Sequence, residues 1–282
     1  MKRILYAVLI SCSVLSASAQ ISVGTPEQLA QFFHTKTIVL LIDNPTSEYN
    51  RIMKEAVEKY WKLTPYEFVP YTKDEFNKIR MDTSLSFLKL STVTYPNDDV
   101  KQQYYFLTVS LGGKYKAAVE MPEIASIPVC YVESQEDYFA YKAPMLLKFI
   151  INHIEIAKAN PKLKTKKAPG YYKKQLPGLK QNTLYIISDE LGKDMNENTI
   201  KSVYQHPVKI VSRDEAAKII EKGDKNVAFI HLIGAQEVKK KGRCYKMAMN
   251  AGTGMLYSLK WHMINEKTPD AMTLKDFKAI SK

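Results

Sequence analysis

Two acidic pairs stand where an α/β protein commonly places its chemistry. Asp43-Asn44 follows the continuous apolar run Ile38-Val39-Leu40-Leu41-Ile42, and Asp189-Glu190 follows Leu184-Tyr185-Ile186-Ile187-Ser188. Short apolar runs bounded by polar residues suit strands buried on both faces, as in parallel sheets covered by helices. In open sheets of that kind ligands gather at the carboxyl ends of the strands. A carboxylate in such a place binds a cation or a substrate hydroxyl, or it caps the loop leading into the next helix, the commoner duty of aspartate at these junctions. Asp43, Asn44, Asp189 and Glu190 are therefore the candidate ligand-binding residues.

Other chemistry is harder to find. The chain contains no GxSxG, CxxC, HExxH or GxxxxGK[ST], so the best-known local signatures of hydrolases, redox dithiols, zinc peptidases and phosphate loops are missing. A catalytic triad assembled from distant residues would escape such a search. Gly112-Gly113 and Gly252-Thr253-Gly254 follow expected strands, but a phosphate loop needs a helix N-terminus next, and here another strand follows, so turn glycines are the better reading. His34, His153, His206, His231 and His262 are scattered, with no short local pair of the kind zinc sites use. His231 and His262 are the two that neighbouring strands can bring together. Neither a metal nor a cofactor is expected.

The chain has 282 residues and a formal net charge of +12. It opens with Met1-Lys2-Arg3, an apolar run from Ile4 to Leu15, and Ser16-Ala17-Ser18-Ala19 ahead of Gln20. These are the parts of a secretory signal peptide, with cleavage expected after Ala19. A rival reading takes Leu9-Ile10-Ser11-Cys12 as a lipoprotein box that would make Cys12 a lipidated first residue. The apolar run is too short to span a bilayer, and no later segment is long and apolar enough. The expected location is the periplasm or the periphery of an outer membrane. After cleavage Cys130 and Cys244 are the remaining cysteines. In an oxidising compartment they can close a long disulfide loop, or they can be separate buried thiols that pack as small hydrophobes.

Loss of Lys2 and Arg3 with the signal lowers the net charge from +12 to +10, and most of the excess sits in one segment. No acidic residue lies between Glu155 and Asp189, while Lys158, Lys162, Lys164, Lys166, Lys167, Lys173, Lys174 and Lys180 all do. Pro161, Pro169, Gly170, Pro177 and Gly178 interrupt the same stretch without periodicity, as a linker would. Such a run is usually a solvated spacer. Its functional reading is contact with an anionic surface or an acidic partner, because clustered lysines attract polyanions. Nucleic acid is not an expected partner for an exported chain. Tyr171 and Tyr172, which have no evident core to enter, would add aromatic area to a contact made by Lys162, Lys164, Lys166, Lys167, Lys173 and Lys174.

The elements that must position these residues form an internal repeat. After the first apolar run, Tyr49, Ile52, Met53, Ala56, Val57, Tyr60 and Trp61 mark one stripe of a helix. After the second, a shorter helix carries Ile200, Val203 and Tyr204 and stops near His206-Pro207. Second strands are expected at Tyr66 to Val69 and Val208 to Val211. Thr72-Lys73-Asp74-Glu75 and Ser212-Arg213-Asp214-Glu215 then form matching capping boxes, each opening a short helix. Each copy ends in a hairpin, Ser86 to Val93 with Tyr104 to Leu111, and Val227 to Ile233 with Cys244 to Asn250 about a turn containing Gly242.

The unit is thus βαβαββ twice, with mixed sheets flanked by helices. Decorations are a capped helix from Thr25 through Phe33, strands at Ile127 to Val132 and Leu256 to Ile264, an apolar helix from Pro144 to before Pro161, and a terminal helix from Leu274 to Ile280. The expected organisation is a signal peptide at 1–19, a first α/β half at 20–160, a basic linker at 161–181 and a second half at 182–282.

This order, with its capped second helix, resembles the soluble domains of some bacterial envelope assembly proteins, such as the amino-terminal domain of TolB and the curli secretion lipoprotein. The resemblance is one of topology, and no residue motif carries a function across. Three functional classes follow. The leading one is an exported, non-catalytic envelope protein acting as an interaction or assembly module. The others are a binding protein for an anionic envelope polysaccharide or lipid surface, and a hydrolase with an unrecognised site.

Overall fold

The computed structural model describes residues 21–234 and 242–281. The expected signal peptide, the Gln20 cleavage point, Cys12 and most of the turn before Gly242 lie outside the described residues.

Apolar runs become the central strands. β1 (Lys36–Leu41) is buried from its second residue onward, and β6 (Thr183–Ile187) occupies the same place in the second half. Helix α2 (Glu48–Tyr60) follows β1, and β2 (Tyr66–Pro70) then pairs parallel to β1. Helix α3 (Lys73–Ile79) leads to β3 (Leu85–Thr94), parallel to β1 on its other side. β4 (Gln103–Leu111) and β5 (Glu123–Tyr131) continue antiparallel, giving the sheet order β2-β1-β3-β4-β5.

The second half repeats this plan. Helix α6 (Glu197–Lys201), β7 (Val208–Val211), α7 (Arg213–Lys222), β8 (Val227–Ile233), β9 (Arg243–Asn250) and β10 (Leu256–Met263) build the order β7-β6-β8-β9-β10, with the same parallel and antiparallel pairings. Each half closes on a helix, α4 (Ala143–Ala159) in the first and α8 (Leu274–Ile280) in the second. The shared unit is therefore larger than βαβαββ. The third antiparallel strand and the closing helix, read from the sequence as decorations, occur in both halves.

Caps set several boundaries. Ser212 accepts from the Glu215 amide while the Glu215 carboxylate accepts from the Ser212 amide, a closed capping box. Thr25 and Gln28 close the same box on helix α1 (Pro26–Phe32). At α3 Thr72 accepts from the Glu75 amide, but the Glu75 carboxylate lies 3.8 Å from Lys78. Gly223 ends α7 with a left-handed φ of 65°.

The halves share their largest core. Helices α1, α2, α4 and α7 bring Phe32, Met53, Phe149 and Ile220 into one cluster with Val39 and Val109 of the first sheet and Phe229 and Met247 of the second. Leu146, Phe149, Ile150, His153, Ile154 and Ala157 line the buried face of α4 expected from their spacing. Its first turns go further, with Met145, Leu147 and Lys148 also buried, and the Lys148 ammonium donates to the Ala251 carbonyl of the second half at 2.9 Å. The turn between β9 and β10 sits directly on this helix. Gly254 there has φ 69°, and a Cβ on it would meet the Phe149 amide nitrogen at 2.2 Å. That contact explains the Gly252-Thr253-Gly254 sequence as a close approach, in keeping with turn glycines.

Residues 161–181 fold into a 3-10 turn (Thr165–Lys167), helix α5 (Ala168–Lys173) and a second 3-10 stretch (Leu176–Gln181). Leu163, Ala168, Tyr172 and Leu179 are buried. The segment packs on β10 of the second half, and it reaches the first half through Tyr172 and the Thr165 hydroxyl, which accepts from the Val23 amide at 3.0 Å. A Pro, Gly and Lys composition thus conceals four apolar anchors without a helical or strand period.

Candidate functional site

The carboxyl ends of β1 and β6 meet on one short piece of chain, Glu136 to Lys142. Two 3-10 turns, Glu136–Tyr138 and Ala140–Lys142, carry it from the end of β5 into α4. On the β1 side the Glu136 carboxylate accepts from the Ser47 hydroxyl at 3.0 Å and the Tyr49 amide at 3.1 Å. A negative charge there meets the positive end of α2. On the β6 side Arg213, the first residue of α7, pairs with Asp137 at 3.1 Å and with Asp189 at 2.8 Å, and its guanidinium lies 3.6 Å from the centre of the Tyr138 ring.

The buried member of this hub is Glu190, whose carboxylate meets the Lys142 ammonium at 2.5 Å with side-chain exposures of 5 % and 3 %. Burial raises the Glu190 carboxyl above its ordinary value despite Lys142. Burial alone would lower Lys142, but the adjacent Glu190 carboxylate and Tyr141 hydroxyl outweigh it and hold the ammonium above its ordinary value. Glu190 Oε2 and His231 Nδ1 are buried without a hydrogen-bond partner among the described residues. The other ring nitrogen of His231 lies 3.1 Å from the Pro128 carbonyl, tying β8 to β5. A carbonyl can only accept, so Nε2 carries the proton. Burial first, and then the nearby Lys142 charge, lower the imidazole to about 3, so it is neutral.

The four acids and amides expected at the strand ends therefore part company. Asp43 and Asn44 are exposed. Asn44 Oδ1 accepts from the Thr46 amide and hydroxyl, and its carbonyl accepts from Asn50, which is turn building of the kind this residue type favours. Glu190 joins the two halves through Lys142, while Asp189 pairs within the second half with Arg213, the residue that also reaches Asp137 of the first. Sequence reasoning missed Glu136, Lys142 and Arg213, whose partners lie far along the chain. The local signal available for Lys142 is its place directly between Tyr138-Phe139-Ala140-Tyr141 and the apolar start of α4.

A second tie crosses the halves at Tyr131, the last residue of β5. Arg243 forms two 2.7 Å bonds to the Asp98 carboxylate, with its guanidinium 3.5 Å from the Tyr95 ring centre and 4.3 Å from that of Trp261. The Arg243 amide donates to the Tyr104 hydroxyl at 2.6 Å, and the Tyr131 hydroxyl donates to the Arg243 carbonyl at 3.0 Å. Cys130 and Cys244 are separate free thiols, both buried, one in the shared core and the other in the cluster under α6 and α8. Burial pushes Cys244 up to about 12 and Cys130 higher, so both are protonated and unreactive. His231 and His262 do not meet, because β9 lies between their strands.

The basic segment presents Lys162, Lys164, Lys166, Lys167, Lys173 and Lys174 to solvent. None of the six forms an ion pair among the described residues. Tyr171 is half-buried and stands edge-on to the buried Tyr172 at 5.2 Å. The Tyr172 hydroxyl lies 2.7 Å from His153 Nδ1, while His153 Nε2 lies 2.9 Å from the Ser22 carbonyl. The carbonyl fixes the proton on Nε2, so Nδ1 accepts from Tyr172. Burial lowers His153 to about 4. No group of three or more His, Cys, Asp or Glu side chains suited to a metal occurs among the described residues, and none of their helices is long and apolar enough to cross a membrane.

No known family matches the chain, and comparison with curated proteins and with solved structures finds no match.

Proposed function

We propose that this chain is an exported, non-catalytic envelope protein that acts as an interaction or assembly module, presenting the basic face of residues 161–181 to an acidic protein partner. The observation that carries this reading is the placement of six exposed lysines on turns anchored by Leu163, Ala168, Tyr172 and Leu179. A solvated spacer has no need of such anchors, whereas a recognition surface gains from holding its charges in a fixed pattern. The strand-end acids support the same reading, since Glu190 is engaged in joining the halves through Lys142 and Asp189 is paired with Arg213.

A second reading, an anionic polysaccharide or lipid surface, is favoured by Tyr171, half-exposed beside Lys173 and Lys174. The test is capture from envelope extract with the purified mature chain, at low and at raised salt. A discrete protein retained by wild type and lost when the six lysines become glutamine supports the module. Salt-sensitive retention of glycan or lipid in place of protein supports the second reading.

A further inference from the structure

The second sheet has a cationic groove at its other edge. β7 forms that edge, and β10, on which the basic segment packs, forms the opposite one. Between β7 and α7 runs an open groove of about 640 Å³. Half-buried Tyr185, Val211 and Ile219 form its floor, and exposed Lys209, Lys218 and Lys222 stand on its rim.

The acids in the groove are already committed. Glu197 accepts from Lys201 at 3.1 Å and from the Ile210 amide at 3.3 Å. Glu215 holds the Ser212 amide in the capping box at 2.9 Å. Lys209, Lys218 and Lys222 form no ion pair among the described residues. Lys218 and Lys222 stand four apart on α7, where like charges on one helix face repel. An anionic ligand relieves that repulsion, and the apolar floor beneath asks for a ligand with apolar groups as well as charge.

We infer that this groove binds an acidic peptide segment bearing aliphatic side chains. Charge complementarity selects the acids. The floor selects aliphatic groups over sugar, because Val211 and Ile219 are aliphatic and the Tyr185 ring already packs against Phe229 at 5.4 Å and lies under Lys209 at 5.8 Å. Addition of the peptide as a further strand is blocked at Ile210, whose amide is held by Glu197. The ligand is therefore held by its side chains across the groove.

The test uses the purified mature chain and a fluorescein-labelled peptide of alternating glutamate and leucine, followed by anisotropy. A glutamate-only peptide and polygalacturonate serve as competitors. Wild type should bind the alternating peptide saturably, and Lys209→Gln/Lys218→Gln/Lys222→Gln should weaken binding roughly tenfold or more, since contact charges act together. Ile219→Ser should weaken the alternating peptide and leave the glutamate-only peptide unchanged. The variant with six glutamines in the basic segment should bind as wild type does, which keeps this site distinguishable from the proposed partner face. Melting curves check folding, and Lys218→Gln alone, at an exposed position, is the second variant should the triple one melt early. The inference is overturned by absence of saturable binding, by full binding in the lysine variants, by equal competition from polygalacturonate, or by loss of binding in the basic-segment variant.

Discussion

Replacing Lys142 by methionine should be among the most destabilising single changes in this protein. The substitution keeps the length and apolar stem of the side chain and removes the charge that faces Glu190 at 2.5 Å, where both side chains are nearly inaccessible to water. A buried pair broken by loss of one partner typically costs about 3–5 kcal/mol, because the remaining charge has no compensation. That is a large share of the roughly 5–15 kcal/mol by which domains are stable. Glu190 can limit the damage by taking up a proton, and its carboxyl is already raised by burial. Without Lys142 its folded-state value rises further above the unfolded one. The folded variant then holds a proton that the unfolded chain releases, so stability is present at low pH and lost as pH rises through the folded value. Urea unfolding of Lys142→Met should therefore show a deficit that is larger at pH 8 than at pH 5. The double variant Lys142→Met/Glu190→Leu should recover most of the loss, since apolar replacement of both partners is often neutral. A single-variant cost below about 1 kcal/mol, or a double variant no better than the single, would refute the view that this pair is a closed, mutually dependent clasp.

Acid should loosen the protein through two histidines. His153 at about 4 and His231 at about 3 are neutral when folded, so the unfolded chain binds more protons as pH falls below its usual value of about 6.5. Near pH 5 each should cost about 2 kcal/mol relative to neutral pH, and a melting temperature flat from pH 7 to pH 5 would contradict the burial of both rings as neutral imidazoles. Gly254→Ala should cost more than about 2 kcal/mol, through its left-handed φ and the contact with α4, and a neutral result in thermal melts would show that this turn does not press on the helix. The exported form should have the mass of a chain beginning at Gln20, whereas a lipid-modified Cys12 would replace the signal-peptide expectation with an anchor.

Local signals carried much of the fold. The apolar runs of β1 and β6, the box residues Ser212 and Glu215 and the terminal helix Leu274–Ile280 are all short-range features, and the structure has them where spacing and caps place them. Features that depend on packing between the halves were not visible in the same way. Lys148 of α4 is buried with its ammonium donating to the Ala251 carbonyl of the second half, a contact that no helical stripe encodes. The anchors Leu163, Ala168, Tyr172 and Leu179 have no regular spacing, so charge and proline dominated the reading of residues 161–181. At the strand ends, position singled out Glu190 as a candidate ligand-binding residue, but its partner Lys142 lies 48 residues away in sequence and only the fold joins them.

The measurement that bears most directly on the proposed module is capture of partners from envelope extract by wild-type protein and by the variant carrying glutamine at Lys162, Lys164, Lys166, Lys167, Lys173 and Lys174. Because these side chains are exposed, their replacement should leave the melting temperature nearly unchanged. Wild type should retain a discrete protein, added salt should weaken the retention by screening charge beyond about 8 Å at physiological ionic strength, and the variant should lose it. Retention of the same protein by the folded variant, with no response to salt, would contradict the assignment of residues 161–181 as the partner face.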